Sequence, residues 1–378
     1  MKDNETYRRN VRLIFSGGGT GGHVYPAIAV AGKIMEMVPD AEVLFVGARG
    51  KMEMTRVPEA GFEIKGLWIS GFQRRFTLSN LLFPIKVIHS VLKSMRLLNA
   101  FKPDVVAGFG GYASSPVMLA ATRKGIKTLI QEQNSYAGVA NKAVAHKVDK
   151  VCVSYAHMER YFPEDKIVIT GNPVRKDMLT IADKKNEGDT CFSLDPLRET
   201  ILVLGGSGGA RTINESMMRN MKEWIRSGVQ ILWQTGKFYY KEMQERMAGF
   251  DDENIRLLEF IDRMDLAYAV ADIVISRSGA LSISELCLVK KPVIFIPSPN
   301  VAEDHQTINA LALAEKDAAL IVEDKNAVKE LVSVAMALLH DSDRRAVLSE
   351  NIALLGRPDA TKDIALEILK LVNKKDKT

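Results

Sequence analysis

The stretch 11-VRLIFSGGGTGGH-23 decides how this chain is read. Val11 to Phe15 is a short run of bulky apolar side chains, and Gly17, Gly18, Gly19, Gly21 and Gly22 follow almost at once. That order predicts a buried parallel strand turning tightly into a helix over Val24 to Met37. Glycine in such a turn lets backbone approach backbone, or a ligand. The unpaired N–H groups at the helix start face the turn and favour an anion, so a nucleotide site is the first expectation. The spacing Gly17-x-Gly19-x-x-Gly22 also fits the dinucleotide fingerprint. That fingerprint wants an acid ending the second strand, whereas the strand expected over Glu42 to Val46 runs into Gly47, Ala48 and Arg49. An NADP-dependent oxidoreductase keeps only Arg49 in its favour. The P-loop reading fails, because His23 and Val24 stand where Lys and then Ser or Thr are needed. His23 itself, at the mouth of the turn, titrates near neutrality and is a candidate general base, with a simple hydrogen bond to the loop as the plainer role.

Outward from that stretch, apolar strands and amphipathic helical segments alternate, with strands expected over Asp104 to Gly108, Thr128 to Gln131 and Lys150 to Val153. Such alternation predicts an α/β domain with a parallel sheet covered on both faces. Ligands meet the carboxyl ends of such strands. The loop carrying Gly110, Gly111, Tyr112 and Ser114 and the loop Gln131 to Asn134 are therefore expected on the same rim as Gly17 to Gly22. Between them, residues 71–102 mix Leu81, Leu82, Phe83, Ile85 and Ile88 with Arg75, Lys86 and Lys93. Cations beside an apolar edge suit an anionic membrane surface, and an ordinary surface helix with one buried stripe is the alternative.

The polar stretch Ile181 to Pro196 reads as an irregular linker, so the domains are expected at 1–180 and 197–355 with the linker at 181–196. After it the plan restarts. Thr200 to Leu204 runs into Gly205-Gly206-Ser207-Gly208-Gly209-Ala210-Arg211, and further strands are expected over Gln230 to Trp233, Ile255 to Glu259, Ile273 to Ser276 and Pro292 to Ile296. Two such domains suggest a cleft between facing rims. The segment Ser276 to Glu285 follows a strand and opens a helix, so its amides can take a diphosphate. Glu285 either stabilises the helix start by its charge or grips a ribose diol with two oxygens. Ser207 is a helix cap, or a phosphate contact if a nucleotide is present. Asp304, His305, Gln306, Thr307 and Asn309 supply donors and acceptors suited to sugar hydroxyls.

At 378 residues and 47% hydrophobic, the chain is long enough for two cores, and a net charge of +5 is too small to mark a nucleic-acid binder. Cys152, Cys191 and Cys287 lie far apart without metal-ligand spacing, and a buried, reduced role is expected for each. No metal motif is present. No apolar signal-peptide core and no run of about 18 apolar residues occur, so a soluble or surface-bound protein is expected.

Taken in order, GGGTGGH at 17–23, GFGGYAS at 108–114, QEQN at 131–134, GNPVR at 171–175, GGSGGAR at 205–211, SRSGALSISE at 276–285 and DHQTINA at 304–310 resemble the MurG family of peptidoglycan glycosyltransferases. The resemblance covers nearly the whole chain. It implies the GT-B fold, two Rossmann-like doubly wound parallel-sheet domains facing across a cleft, with the last helix, about 359–376, packing back on the first. It implies an inverting transfer of GlcNAc from UDP-GlcNAc to lipid I, giving lipid II. The donor would be held mainly by the C-terminal domain and the acceptor by the N-terminal one, through the loop of Gly110, Gly111, Tyr112 and Ser114. It further implies a peripheral place on the cytoplasmic face of the bacterial inner membrane, an anionic lipid surface and other cell-wall synthesis proteins as partners, no nucleic acid, no metal and no resident cofactor. Carried over residue by residue, Thr20, Gly21, Gly22, Asn134 and Arg175 lie at the donor sugar and diphosphate. Ser207 touches phosphate and Ile261 offers its backbone to uracil. Ala280, Leu281, Ser282, Ile283, Ser284 and Glu285 grip diphosphate and ribose, and Gln306 meets the GlcNAc hydroxyls. One departure is visible: Gln131 stands where the family often has His, which leaves His23 as the candidate base. The competing readings are a UDP-GlcNAc 2-epimerase or another GT-B UDP-sugar transferase and, in a different class, a non-catalytic membrane-docked nucleotide sensor.

Overall fold

Leu13, Ile14 and Phe15 are buried on both faces of their strand, which places that strand in the middle of a sheet rather than at its edge. The structure, a computed structural model, describes residues 10–71, 82–250, 253–301 and 304–373. It divides into two units, one running to Arg175 and resuming at Asp359, the other spanning Lys176–Pro358. In the first unit β1 (Arg12–Ser16), β2 (Glu42–Ala48), β3 (Glu63–Leu67), β4 (Val105–Gly108), β5 (Lys127–Glu132), β6 (Lys150–Val153) and β7 (Ile167–Ile169) form one sheet in the order β3-β2-β1-β4-β5-β6-β7. In the second, β8 (Thr200–Leu204), β9 (Gln230–Gln234), β10 (Ile255–Leu258), β11 (Ile273–Ser276), β12 (Val293–Phe295) and β13 (Leu320–Ile321) are ordered β10-β9-β8-β11-β12-β13. Every neighbouring pair is parallel.

Both sheets therefore reverse their winding direction once, between β1 and β4 and between β8 and β11. At each reversal the two strands end level, Ser16 beside Gly108 and Ser276 beside Leu204, so the loops that follow rise side by side. These crevices are where doubly wound sheets take their ligands. The central strands lie where the apolar runs predict them. The strands β3, β7 and β13 have no such signal, because they are outermost or only two or three residues long and are built from partly exposed side chains such as Glu63 and Lys65 of β3.

The stretch expected to be an irregular linker is not one. Ala182–Lys184 is a 3-10 turn, Lys185–Phe192 is a helix, and both group with the second unit. Gly188 lies against the Met264–Val270 helix so closely that a Cβ there would sit 2.5 Å from Val270. A charged cluster fastens the contact: Asp265 accepts from Lys184 at 2.8 Å and from Arg263 at 3.0 Å, and Arg263 reaches Glu187 at 3.1 Å. The Arg263 guanidinium holds the Asp265 carboxyl well below the usual carboxylate range. Asp265→Ala should destabilise the second unit by about 2–3 kcal/mol at pH 7 in urea unfolding. That is below the ~3–5 kcal/mol of a fully buried pair, because the Arg263 side chain is 51% exposed. A depressed folded-state pKa means that this contribution is complete above the carboxyl's unfolded pKa and is lost as pH falls through the folded value, so wild type and variant should converge in strong acid.

The last helix, Ala360–Asn373, returns to the first unit. Its Ile364, Ala365, Ile368, Leu369 and Leu371 close over Ala27, Val30, Ala31 and Ile34 of the Gly21–Met37 helix. Fully burying each large aliphatic side chain stabilises the fold by roughly 1.5–3 kcal/mol. Of the cysteines, Cys152 and Cys287 are buried, and burial pushes the Cys287 thiol up to about 12. The expectation of burial fails for Cys191, which is exposed on the short Lys185–Phe192 helix.

Candidate active site

The first crevice is lined by two glycine loops in backbone contact. After β1 the chain turns at Gly19, whose φ of +88° only glycine adopts without strain, and enters the helix at Gly21. After β4 it turns through Gly110 and Gly111, and a Cβ on Gly111 would stand 2.1 Å from the Gly18 carbonyl oxygen. Tyr112, 53% exposed, lays its ring beside Gly19. Thr20 is the N-cap residue of the Gly21–Met37 helix, and its carbonyl accepts from the amides of His23 and Val24. Ser114, at the end of the same loop, is buried, with its hydroxyl against Gly108.

His23 lies half-buried between these loops, its ring under Gly110. Its Nδ1 is buried and has no hydrogen-bond partner among the described residues. Desolvation holds the imidazole below its ordinary pKa, against the opposing pull of Glu132, Gln133, the Phe109 carbonyl and Glu53. The ring is thus neutral at pH 7 and able to accept a proton.

Beside it the carboxyl ends of β5 and β6 carry a rigid polar platform. Glu132, almost fully buried, accepts from the amides of Asn134 (3.1 Å) and Gly138 (2.9 Å) and from the Asn141 side chain (2.9 Å). One carboxylate thereby shapes the whole turn that presents Asn134. Gln131 is fully buried and donates to Asn172 at 3.0 Å, while Gln133 donates to the Phe109 carbonyl at 2.9 Å. Arg175 is half-buried where the first unit ends.

In the second unit the crevice again lies between two strand-to-helix turns. Gly206 (φ +81°) and Gly209 (φ +89°) bend the loop that leaves Ser207 exposed, and Gly236 (φ +83°) comes so near that a Cβ would lie 2.1 Å from the Gly209 amide nitrogen. Opposite, Gly279 caps the helix Ala280–Val289. Ala280, Leu281 and Ser282 form the first turn of that helix, directly after the carboxyl end of β11. Ile283 is buried and contributes no side chain to the crevice, and Ser284 spends its hydroxyl on the Ala280 carbonyl at 2.9 Å. Glu285 is half-buried and accepts from the Tyr268 hydroxyl at 3.2 Å. Gln306 Oε1 accepts from the Ser298 amide at 2.9 Å. The Ile261 amide is donated to the Gln234 side chain at 2.9 Å.

The residues that sequence reading missed are those that hold the loops from outside the motifs: Glu53, Gln234, Tyr268, and Asp324, which joins Arg277 to Thr212. None carries a local signal, because each holds at least one partner that is distant along the chain.

Residues 13–153 match the model of the glycosyltransferase family 28 N-terminal domain, and residues 200–364 that of the glycosyltransferase family 28 C-terminal domain. The chain is 54% identical over 362 residues to the UDP-N-acetylglucosamine–N-acetylmuramyl-(pentapeptide) pyrophosphoryl-undecaprenol N-acetylglucosamine transferase of Cytophaga hutchinsonii, covering 96% of this chain and 97% of that protein. It is 52% identical over 361 residues to the protein of the same name from Flavobacterium psychrophilum, covering 96% and 98%. Among solved structures it is similar to MurG of Acinetobacter baumannii, with a TM-score of 0.74 and 28% identity over 95% of this chain and 99% of that one. Matched by both domain models and alike from end to end to these transferases, the chain belongs to glycosyltransferase family 28, and within it to the MurG transferases.

Proposed function

We infer that this chain moves GlcNAc from UDP-GlcNAc to lipid I, making lipid II for peptidoglycan. The observation that carries this is the identity of half its residues, across both units, to transferases whose names state that reaction. The second unit takes the donor. Ser207 and the amides of Ala280, Leu281 and Ser282 meet the diphosphate, the Ile261 carbonyl accepts from uracil, Glu285 holds the ribose and Gln306 the sugar hydroxyls. These are fixed dipoles and side chains aimed at the charge that develops on the departing UDP. In the first unit Thr20, Gly21, Gly22, Asn134 and Arg175 approach the donor sugar, while Gly110, Gly111 and Tyr112 hold the acceptor. The acceptor hydroxyl attacks the anomeric carbon from the face opposite UDP. Its proton passes to His23, and the bond to UDP breaks with the electron pair leaving on the diphosphate.

The acceptor is a membrane lipid, and one helix suits contact with it. Phe83–Phe101 buries Ser90, Val91, Ser94 and Leu98 and turns Leu82, Ile85, Ile88 and Leu92 outward beside Trp68, so its apolar side faces solvent. We propose that this strip rests on the cytoplasmic face of the membrane. Phe83 is half-buried, and Lys86 donates to Ser70 at 3.0 Å with its ammonium 5.7 Å from the centre of the Trp68 ring. The sequence candidates Arg75 and Leu81 lie outside the described residues. No helix among the described residues is long and apolar enough to cross a bilayer.

The test is incubation with radiolabelled UDP-GlcNAc and a lipid I analogue in anionic vesicles, following label into the lipid and protein into the pellet. Acceptor-dependent label in lipid is expected, with the protein sedimenting on anionic vesicles and far less on neutral ones. Free UDP or an epimerised sugar without labelled lipid would move the chain to hydrolase or epimerase chemistry. Tight UDP binding with no transfer would make it a sensor.

A further inference from the structure

Behind the glycine turn of the first unit lies a buried carboxylate that no motif contains. Glu53 is 1% exposed and divides its two oxygens between two loops: Oε2 accepts from the Gly19 amide at 3.0 Å and Oε1 from the Ala48 amide at 2.9 Å. Two glycines make its room. A Cβ on Gly18 would sit 2.1 Å from its Oε1, and a Cβ on Gly47 would sit 2.5 Å from its Cγ. Neither Gly18 nor Gly47 has a positive φ, so backbone conformation does not require glycine at either place. The space for the Glu53 side chain does. The Gly19 amide, which a phosphate could otherwise claim, is committed to the protein. Gly18 in turn touches Gly111, so whatever fixes the first loop fixes the second.

We propose that Glu53 is a positioning residue for the transfer reaction, a buried strut that sets the Gly18–Gly19 turn and, through it, the Gly110–Gly111 loop and His23. The reading rests on transfer by this site, with His23 as the base. A carboxylate offers two acceptor oxygens and no donor, one oxygen for each of the two inward-pointing amides. An amide of the same shape must turn its NH2 group toward one of them and leave a donor facing a donor. Glu53 also acts on His23 by its charge, as does Glu132 of β5, and both favour the protonated ring, as do the nearby Gln133 side chain and Phe109 carbonyl. Removing the Glu53 charge should therefore make His23 harder to protonate.

The experiment compares Glu53→Gln and Gly47→Ala with wild type in the full chain, measuring kcat, KM for each substrate, UDP affinity, Tm and the pH profile of kcat/KM. A reactive group displaced by about 1 Å costs on the order of 10²-fold in rate. The expected result is a kcat loss of that size in both variants, with UDP affinity close to wild type and Tm lowered by only a few degrees. In Glu53→Gln the acid limb should move to lower pH. Gly47→Ala keeps the glutamate but takes its space, so it separates misplacement from loss of charge. A kcat within about twofold of wild type in both variants would overturn the proposal. So would a collapse of Tm together with every kinetic parameter, which would make Glu53 a fold residue only. A kcat loss with an unmoved acid limb would uphold the strut and remove His23 from the limb's assignment, and absence of transfer by wild type itself would fall on the function and not on Glu53.

Discussion

His23→Ala should lower kcat by about 10²–10⁴-fold while leaving the affinity for UDP within about twofold of wild type. Steady-state transfer and calorimetric titration with UDP measure the two halves of that statement. The expectation follows from where the ring sits. It lies among loops of the first unit, whereas the groups assigned to uracil and ribose belong to the second. Burial lowers its pKa below 6.5, the ordinary imidazole value. The sign of the pH effect follows. A base must be unprotonated, so kcat/KM should be full at neutral pH and above, and should fall as pH drops through a value below 6.5. In His23→Ala that acid limb should disappear. A limb that survives unchanged would assign it to another group.

Glu285→Ala should produce the opposite division, a loss of UDP affinity by about 10²-fold with a smaller effect on kcat at saturating donor. A hydrogen bond to a charged acceptor contributes about 1.5–3 kcal/mol. Two such bonds to a ribose diol, one of them shared with the Tyr268 hydroxyl, come to roughly 3 kcal/mol, which is about 10²-fold in Kd. Glu285→Gln, which keeps one acceptor, should fall between wild type and Ala. Should His23→Ala and Glu285→Ala lose donor affinity equally, the assignment of the two units to different tasks would be wrong.

How much of this was legible depended on whether a residue acts locally. Central strands such as Leu13 to Phe15 and Val105 to Ala107 are buried on both faces, so their unbroken apolar runs predict them well. The short outer strands β7 and β13 and the partly exposed β3 lack that constraint and were missed. Lys185–Phe192 has no apolar periodicity to read, since its hold on the second unit comes from Gly188 and from the ion pairs of Lys184 and Arg263. Motifs located the crevices, because glycine turns at strand ends are local. They could not say which side chains in those motifs face inward, as Ser114 and Ile283 do, nor that the Ile261 amide is already taken by Gln234. Glu53 lay furthest out of reach. It sits only a few residues past the strand end searched for an acid, but it points behind the turn and not at a ribose.

The return of the last helix to the first unit has a consequence for how the protein is made. The face formed by Ala27, Val30, Ala31 and Ile34 leaves the ribosome before the second unit, and its cover, Ala360–Asn373, leaves after it. The first unit is therefore completed only after the second has been made, and its apolar groove stays open through that interval. A premature stop just after Pro358 would spare every residue of the second unit and still deprive the first of its lid, leaving a nascent chain that chaperones and proteases could recognise by that groove alone.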